Sequence, residues 1–200
     1  MEFLLLTNYR SVVFNADMTT REEIITAMLN LGEEKGLANV SLSDIAMEVG
    51  IRKPSIYSHF ESKEALVDAA VLYCRNLLRK ADFKVDFKAK NAMILLVSLF
   101  DSIIDVFAQK PISSFFSIIQ QQRLFDETFT AEEKTISSMI NARIRIALEF
   151  CVQRSWLDIK DTDFASDLVT AAVLNKISDV LSSGAEWETD RLAEGLIELF

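Results

Sequence analysis

Only five glycines and two prolines punctuate the 200 residues of this chain. A sandwich or barrel of short strands needs turn residues roughly every 8–12 positions. Long helices are therefore expected, and the fold class is all-α. Half of the residues are hydrophobic, which excludes a disordered chain and provides for a sizeable core. One histidine and two cysteines leave little material for a zinc site or a Cys/His nucleophile pair, so neither a metal nor a cofactor is expected. A helical hydrolase built on Asp101 and Asp105 would lack any nucleophile paired with a base, and no enzymatic activity is expected. The formal charge of −9 and pI near 4.7 set up a field that repels nucleic acid and anionic membranes alike. Contact with either has to be focal. Cys74 and Cys151 each stand inside an apolar pattern, as free thiols of a reducing compartment do, and a cytoplasmic location is expected.

The first residues, MEFLLLTNYRSVVFNAD, lack both the basic start and the cleavage pattern of a signal peptide. Residues 1–18 are read as an N-terminal arm or as a misassigned start, with translation beginning at Met18. No later run reaches the roughly 18 uninterrupted apolar residues of a spanning helix, because Asp101 and Asp105 break the stretch from Ala92 to Ala108. A soluble protein with no membrane partner is expected.

Helix signals follow in order. Thr20 and Glu23 have capping-box spacing and precede Ile24, Ile25, Met28 and Leu31, with Gly36 ending the run. Ser41 and Asp44 open a short amphipathic segment that stops at Gly50. Pro54 suits the first position of a very short helix reaching Phe60, and Ser62 caps a longer one running to about Ala81. The alternating Phe83–Phe87 reads as a linker, since a lone strand is unstable. Further helices are predicted over about 91–109, 112–125, 131–157, 162–183 and 188–200.

Two short helices joined at Gly50, with one helix before and one after, follow the helix-turn-helix plan, in which the second short helix enters the major groove. Arg52 and Lys53 precede that second helix. Ser55, Tyr57 and Ser58 are groups that approach base edges or phosphates. His59 can donate to a phosphate, and Lys63, a cation at a helix start, would be compensated by a phosphate drawn there. The stretch SLSDIAMEVGIRKPSIYSHF, followed by ESKEAL, closely resembles the N-terminal DNA-binding domain of the TetR family of transcriptional regulators, over about Thr19 to Ala81. The resemblance implies DNA contacts from Ser41, Ser43, Lys53, Ser55, Tyr57, Ser58, His59 and Lys63. Ser43 stands where many members carry a base-reading cation, and Arg52 is placed to supply it. Phe60 is read as a packing residue, and Tyr57 as both packing and contact.

The resemblance further implies a homodimer on a palindromic double-stranded operator, released by a small hydrophobic effector. The division expected is a helix-turn-helix domain at 19–66 and a helical effector-binding and dimerisation domain at 67–200. The helix around 162–183 is apolar nearly all round and needs cover from two sides. Leu168, Ala172, Leu174, Ile177 and Leu181, with Leu192 and Leu196 of the last helix, are the candidate dimer interface. Phe100, Phe107, Phe116 and Met139 are the candidate effector lining, though such a stripe also suits plain core. Arg143 lies on an apolar helix face. It meets either the anionic group of an apolar effector or, more simply, Asp101 or Asp105 in an ion pair. An architectural DNA-binding protein without an effector is the alternative reading.

Overall fold

A computed structural model describes residues 18–200, so the expectations about the segment before Met18 lie outside the described residues. Among these residues are nine α-helices, one short 3-10 turn at Leu37–Asn39 and no strand. The helices are α1 (Thr20–Lys35), α2 (Leu42–Val49), α3 (Lys53–Tyr57), α4 (Lys63–Lys80) and α5 (Ala92–Phe107). They continue with α6 (Ile112–Gln122), α7 (Glu127–Gln153), α8 (Thr162–Ser183) and α9 (Thr189–Leu199). The fold class is all-α, as the sparse glycine and proline require.

Side-chain caps fix most boundaries. Ser62, Asn91 and Asp161 each accept a hydrogen bond from a backbone N–H of the first turn they precede. The α1 capping box falls one residue earlier than expected, on Thr19 and Glu22. Helix α3 begins at Lys53, with Arg52 as its N-cap, and ends at Tyr57, short of Phe60. Helix α7 starts at Glu127, four residues before the expected Ala131. Asp126 caps it, and the Thr130 hydroxyl donates to the carbonyls of Arg123 (2.5 Å) and Asp126 (3.0 Å). Phe83–Phe87 is a connector, as expected, with Phe83 buried and the Phe87 ring edge-on to Phe150 at 5.2 Å.

One apolar core runs from Ile24 and Ile45 through Leu95, Phe115 and Ile140 to Ala193. Helix α8 lies along α7, α9 packs on α5, and α1 packs on α6. At the α1–α6 contact Gly32 is buried so closely that a Cβ there would sit 2.9 Å from Ile118 Cδ1. A polar lock surrounds this contact. The Ser114 hydroxyl donates to Glu33 Oε2 at 2.7 Å, and Lys110 Nζ lies 3.3 Å from the same oxygen. A second tie joins α4 to α7, where the Arg75 guanidinium forks onto the buried Glu132 carboxylate. Glu132 in turn holds the Arg75 pKa above its ordinary value.

Candidate nucleic-acid interface

The turn between α2 and α3 is built from its ends inward. The Ser41 hydroxyl accepts from the Asp44 N–H at 3.1 Å, and the Asp44 carboxylate accepts from the Ser41 N–H and hydroxyl, each at 2.9 Å. Lys35 adds an ion pair to Asp44 at 2.9 Å, and these contacts, Lys35 first, lower the Asp44 carboxyl to about 2. At the other end Gly50 adopts φ 74°, ψ 26°, a left-handed conformation that costs a side-chain-bearing residue roughly 1 kcal/mol or more. There the Ile51 N–H returns to the Ala46 carbonyl at 2.9 Å, closing the helix.

From this turn Ile45, Ile56 and Phe60 point inward and are buried, and the Arg21 guanidinium stacks 4.4 Å over the Phe60 ring. Arg52, Lys53, Pro54, Ser55, Tyr57, Ser58 and His59 are exposed on the opposite side. Tyr57 leaves 51% of its surface in water, which a packing role alone does not account for. Ser58 donates back to the Ser55 carbonyl at 2.7 Å, and the His59 N–H donates to the Ile56 carbonyl at 2.9 Å. The recognition helix therefore presents its polar edge outward and is anchored by its single buried position, Ile56.

Two expected contacts are placed otherwise. Lys63 Nζ donates to the Leu37 carbonyl at 2.7 Å and reaches the Ala38 carbonyl at 3.4 Å. Its partners are the carbonyls of the 3-10 turn that follows α1, so in the fold it clasps the start of α4 to that turn. Ser41 is exposed, but its one hydroxyl proton goes to Asp44. Ser43 is exposed on α2 and makes no side-chain hydrogen bond among the described residues. Met47 on the same helix, off the Leu42, Ile45, Ala46 and Val49 face, is 80% exposed and was not singled out from the sequence.

The candidate effector residues separate. Phe100, Phe107 and Phe116 are fully buried, with the Phe107 and Phe116 rings edge-on at 5.2 Å, and they belong to closed core. Met139 is half-buried against that core. Arg143 makes no ion pair among the described residues, with Asp101, Asp105 or any other carboxylate. Desolvation raises the Asp101 pKa, and Asp105 and Asp190 add to it. It is Arg145, two residues on, that reaches open space. A groove of about 730 Å³ opens between α6, α7 and α8, lined by Gln120, Arg123, Glu133, Asn141, Arg145 and Asp167 among others. Its lining is mostly polar, with Ala142, Ala171 and Leu174 as the apolar part, and hydrophobic periodicity gives no sign of it.

The candidate dimer residues divide as well. Leu168 and Ala172 are exposed on the outer side of α8, beside Phe164. Leu174, Leu181 and Leu192 are half-buried, whereas Ile177 and Leu196 are core of the single chain.

A tight helix-turn-helix whose second helix offers a polar, basic edge, carried on an all-helical body, defines a DNA-binding module of the regulator type. Residues 24–70 match the model of the bacterial regulatory proteins of the tetR family, and this N-terminal region is a DNA-binding domain of that family. Over 87 residues the chain is 32% identical to the biofilm operon icaADBC HTH-type negative transcriptional regulator IcaR of Staphylococcus aureus. That match covers 43% of this chain and 47% of the relative, so the chain spans about half the length of the relative it matches. The whole fold is TetR-like. A TetR-like transcriptional regulator from Rhodococcus sp. RHA1 superposes with a TM-score of 0.67 at 17% identity, covering 92% of this chain and 94% of that one. AibR, in complex with isovaleryl coenzyme A and operator DNA, gives 0.62 at 15% identity, over 91% and 98%. No single helix among the described residues is long and apolar enough to cross a membrane.

Proposed function

We propose that this chain is a sequence-specific DNA-binding transcriptional regulator, a repressor that acts as a homodimer on a pseudo-palindromic operator and is released by a small-molecule effector. The observation that carries the reading is the edge of α3. Arg52, Lys53, Ser55, Tyr57 and Ser58 face solvent together, while Ile56 alone secures the helix from within. Apart from the Ser58 hydroxyl, which donates back to the Ser55 carbonyl, these cations, the Ser55 hydroxyl and the phenol anchor nothing in the fold, and such groups meet phosphates and base edges. The negative sense of regulation follows the Staphylococcus relative, a negative transcriptional regulator. AibR, which shares the fold, is seen with both an acyl coenzyme A and operator DNA.

The reading divides the chain at about residue 66, with DNA binding before it and effector binding and dimerisation after it, in the cytoplasm where the DNA lies. Dimerisation is assigned to the outer side of α8 around Phe164, Leu168 and Ala172, bordered by Leu174, Leu181 and Leu192. An isologous contact there makes a two-fold operator the natural partner. The effector is assigned to the groove between α6, α7 and α8. Glu133 faces that groove and pairs with Arg123, and its chain neighbour Glu132 is tied through Arg75 to α4, the helix that leads out of the DNA-binding end. An effector acts only if it binds the DNA-incompetent arrangement more tightly than the competent one.

The test is selection of bound sequences from a random duplex pool by the purified chain and by a Lys53→Ala, Tyr57→Ala double variant. An enriched palindrome that the variant fails to enrich is expected. Equal enrichment by both proteins, or none by a folded wild type, overturns the reading.

A further inference from the structure

We propose that the groove between α6, α7 and α8 binds a neutral, hydroxyl-rich small molecule of the sugar or polyol class. This names the ligand chemistry of the effector site and rests on that reading. Both arginines of the groove already have a carboxylate, although Arg123 Nε keeps a buried N–H without a partner, and Asp167 is held by a neutral amide. Arg123 is paired with Glu133, Arg145 Nη1 donates to Asp163 at 3.3 Å, and the Asn141 amide donates to Asp167 at 2.9 Å and to Ser166 at 3.2 Å. An anionic ligand would compete with Glu133 for Arg123 and with Asp163 for Arg145, and a cationic one would find Asp167 alone, already hydrogen-bonded to Asn141. What remains open is neutral. Gln120, Ser137, Ser138 and Asn175 line the groove and make no side-chain hydrogen bond among the described residues.

Two carboxamides and two hydroxyls offer both donors and acceptors, and a ligand hydroxyl is itself both donor and acceptor. The match is to a molecule carrying several hydroxyls at close spacing. Other chemistries find little here. Only Ala142, Ala171 and Leu174 provide apolar lining, too little to cover an acyl chain, and no aromatic side chain is present to stack on a planar ring. The volume of about 730 Å³ falls within the roughly 300–1,000 Å³ of small-molecule sites. The floor is also preorganised. The Thr170 hydroxyl donates to the Ser166 carbonyl at 2.6 Å, and Ser166 in turn accepts from Asn141, so the polar lining is held in place before any ligand arrives.

The experiment is ligand-observed saturation-transfer NMR on the full chain without DNA. The probes are D-glucose, maltose and sorbitol, with sodium octanoate and tetramethylammonium chloride as comparators. Saturation of at least one neutral probe and of neither comparator is expected. Ser137→Ala and Asn175→Ala should each weaken that binding about fivefold, as the loss of one net hydrogen bond implies. Both are helical positions where alanine favours the fold. Binding of none of the three neutral probes overturns the proposal, as does octanoate or tetramethylammonium binding that Asn175→Ala abolishes. So does neutral-probe binding unchanged in the Ser137→Ala, Asn175→Ala double variant. With no DNA in the tube, these outcomes are independent of whether an operator is selected, so either reading can fail alone.

Discussion

Replacing Arg75 by alanine strands a carboxylate inside the protein. Glu132 is 3% exposed, and the guanidinium of Arg75, on α4, is its only cation among the described residues. Removing one partner of a fully buried pair costs about 3–5 kcal/mol, because a desolvated charge is left uncompensated. Arg75 is itself 38% exposed, so water already screens part of the attraction, and the cost falls to about 2–3 kcal/mol. For a chain of this length that corresponds to a fall in Tm of about 4–12 °C. The double variant Arg75→Met, Glu132→Leu removes both charges and keeps apolar bulk, and it should lie within about 1 kcal/mol of wild type. Urea unfolding at one fixed protein concentration measures all members of the cycle, with m checked for constancy. The expected coupling is about 2 kcal/mol. A double variant as unstable as the sum of its singles would show that the two side chains act separately, and the buried-pair reasoning would be refuted.

Lys63→Met should cost about 1 kcal/mol of stability, since its ammonium satisfies the Leu37 carbonyl; unchanged stability with a tenfold loss of operator affinity would restore it as a phosphate clamp. Tyr57→Ala, at a 51% exposed site, should leave the unfolding midpoint within about 0.5 kcal/mol while abolishing operator selection, whereas Ile56→Ala should cost about 2–5 kcal/mol. The Asp44 carboxyl, held at about 2, stabilises the α1–α2 corner above the ordinary aspartate range near pH 4, and the contribution is lost as pH falls through 2. NMR titration should find that midpoint below 3 and see it rise in Lys35→Met; a midpoint near 4 in the wild type removes the ion pair from solution. Operator affinity should fall with log salt at a slope of about −4, four phosphate-neutralising cations being supplied by Arg52 and Lys53 of two protomers, and a slope beyond about −7 would mean that other cations share the work.

Local signals in the sequence were enough wherever a boundary is set by one side chain. Ser41 and Ser62 cap as expected, and Gly50 and Gly184 take the left-handed conformation that ends α2 and α8. Thr19-Thr20 followed by Glu22-Glu23 offers the same box in two registers, and both leave Ile24, Ile25 and Met28 on the same face, so periodicity could not choose. The first turn of α7 is illegible because its polar residues resemble a break, and the Asp126 cap, the Thr130 hydroxyl bonds and the burial of Phe129 make it helical. Whether Phe100, Phe107 and Phe116 line a cavity or fill one is decided by how five helices meet, and the pattern is identical in both cases. The carbonyl partners of Lys63 are illegible for a similar reason, since they come from 25 and 26 residues away in the chain.

The electrostatics of the DNA-binding end follow from how few of its cations are free. Between Met18 and Leu66, Arg21, Lys35, Arg52, Lys53 and Lys63 are outnumbered by Glu22, Glu23, Glu33, Glu34, Asp44, Glu48, Glu61 and Glu64. Within the fold Arg21 lies over Phe60, Lys35 on Asp44 and Lys63 on backbone carbonyls, which leaves Arg52 and Lys53 at the start of the recognition helix. Phosphate neutralisation supplies nearly all of nonspecific binding, so a domain with two such cations in a repulsive field holds random DNA weakly. Most of its operator affinity must then come from base edges and duplex shape. A substitution at Ser55, Tyr57 or Ser58 therefore removes a larger share of total binding than it would in a basic protein. Its effect should be read as a change in the ratio of specific to nonspecific affinity, because that ratio is what so sparse a set of charges leaves the protein to work with.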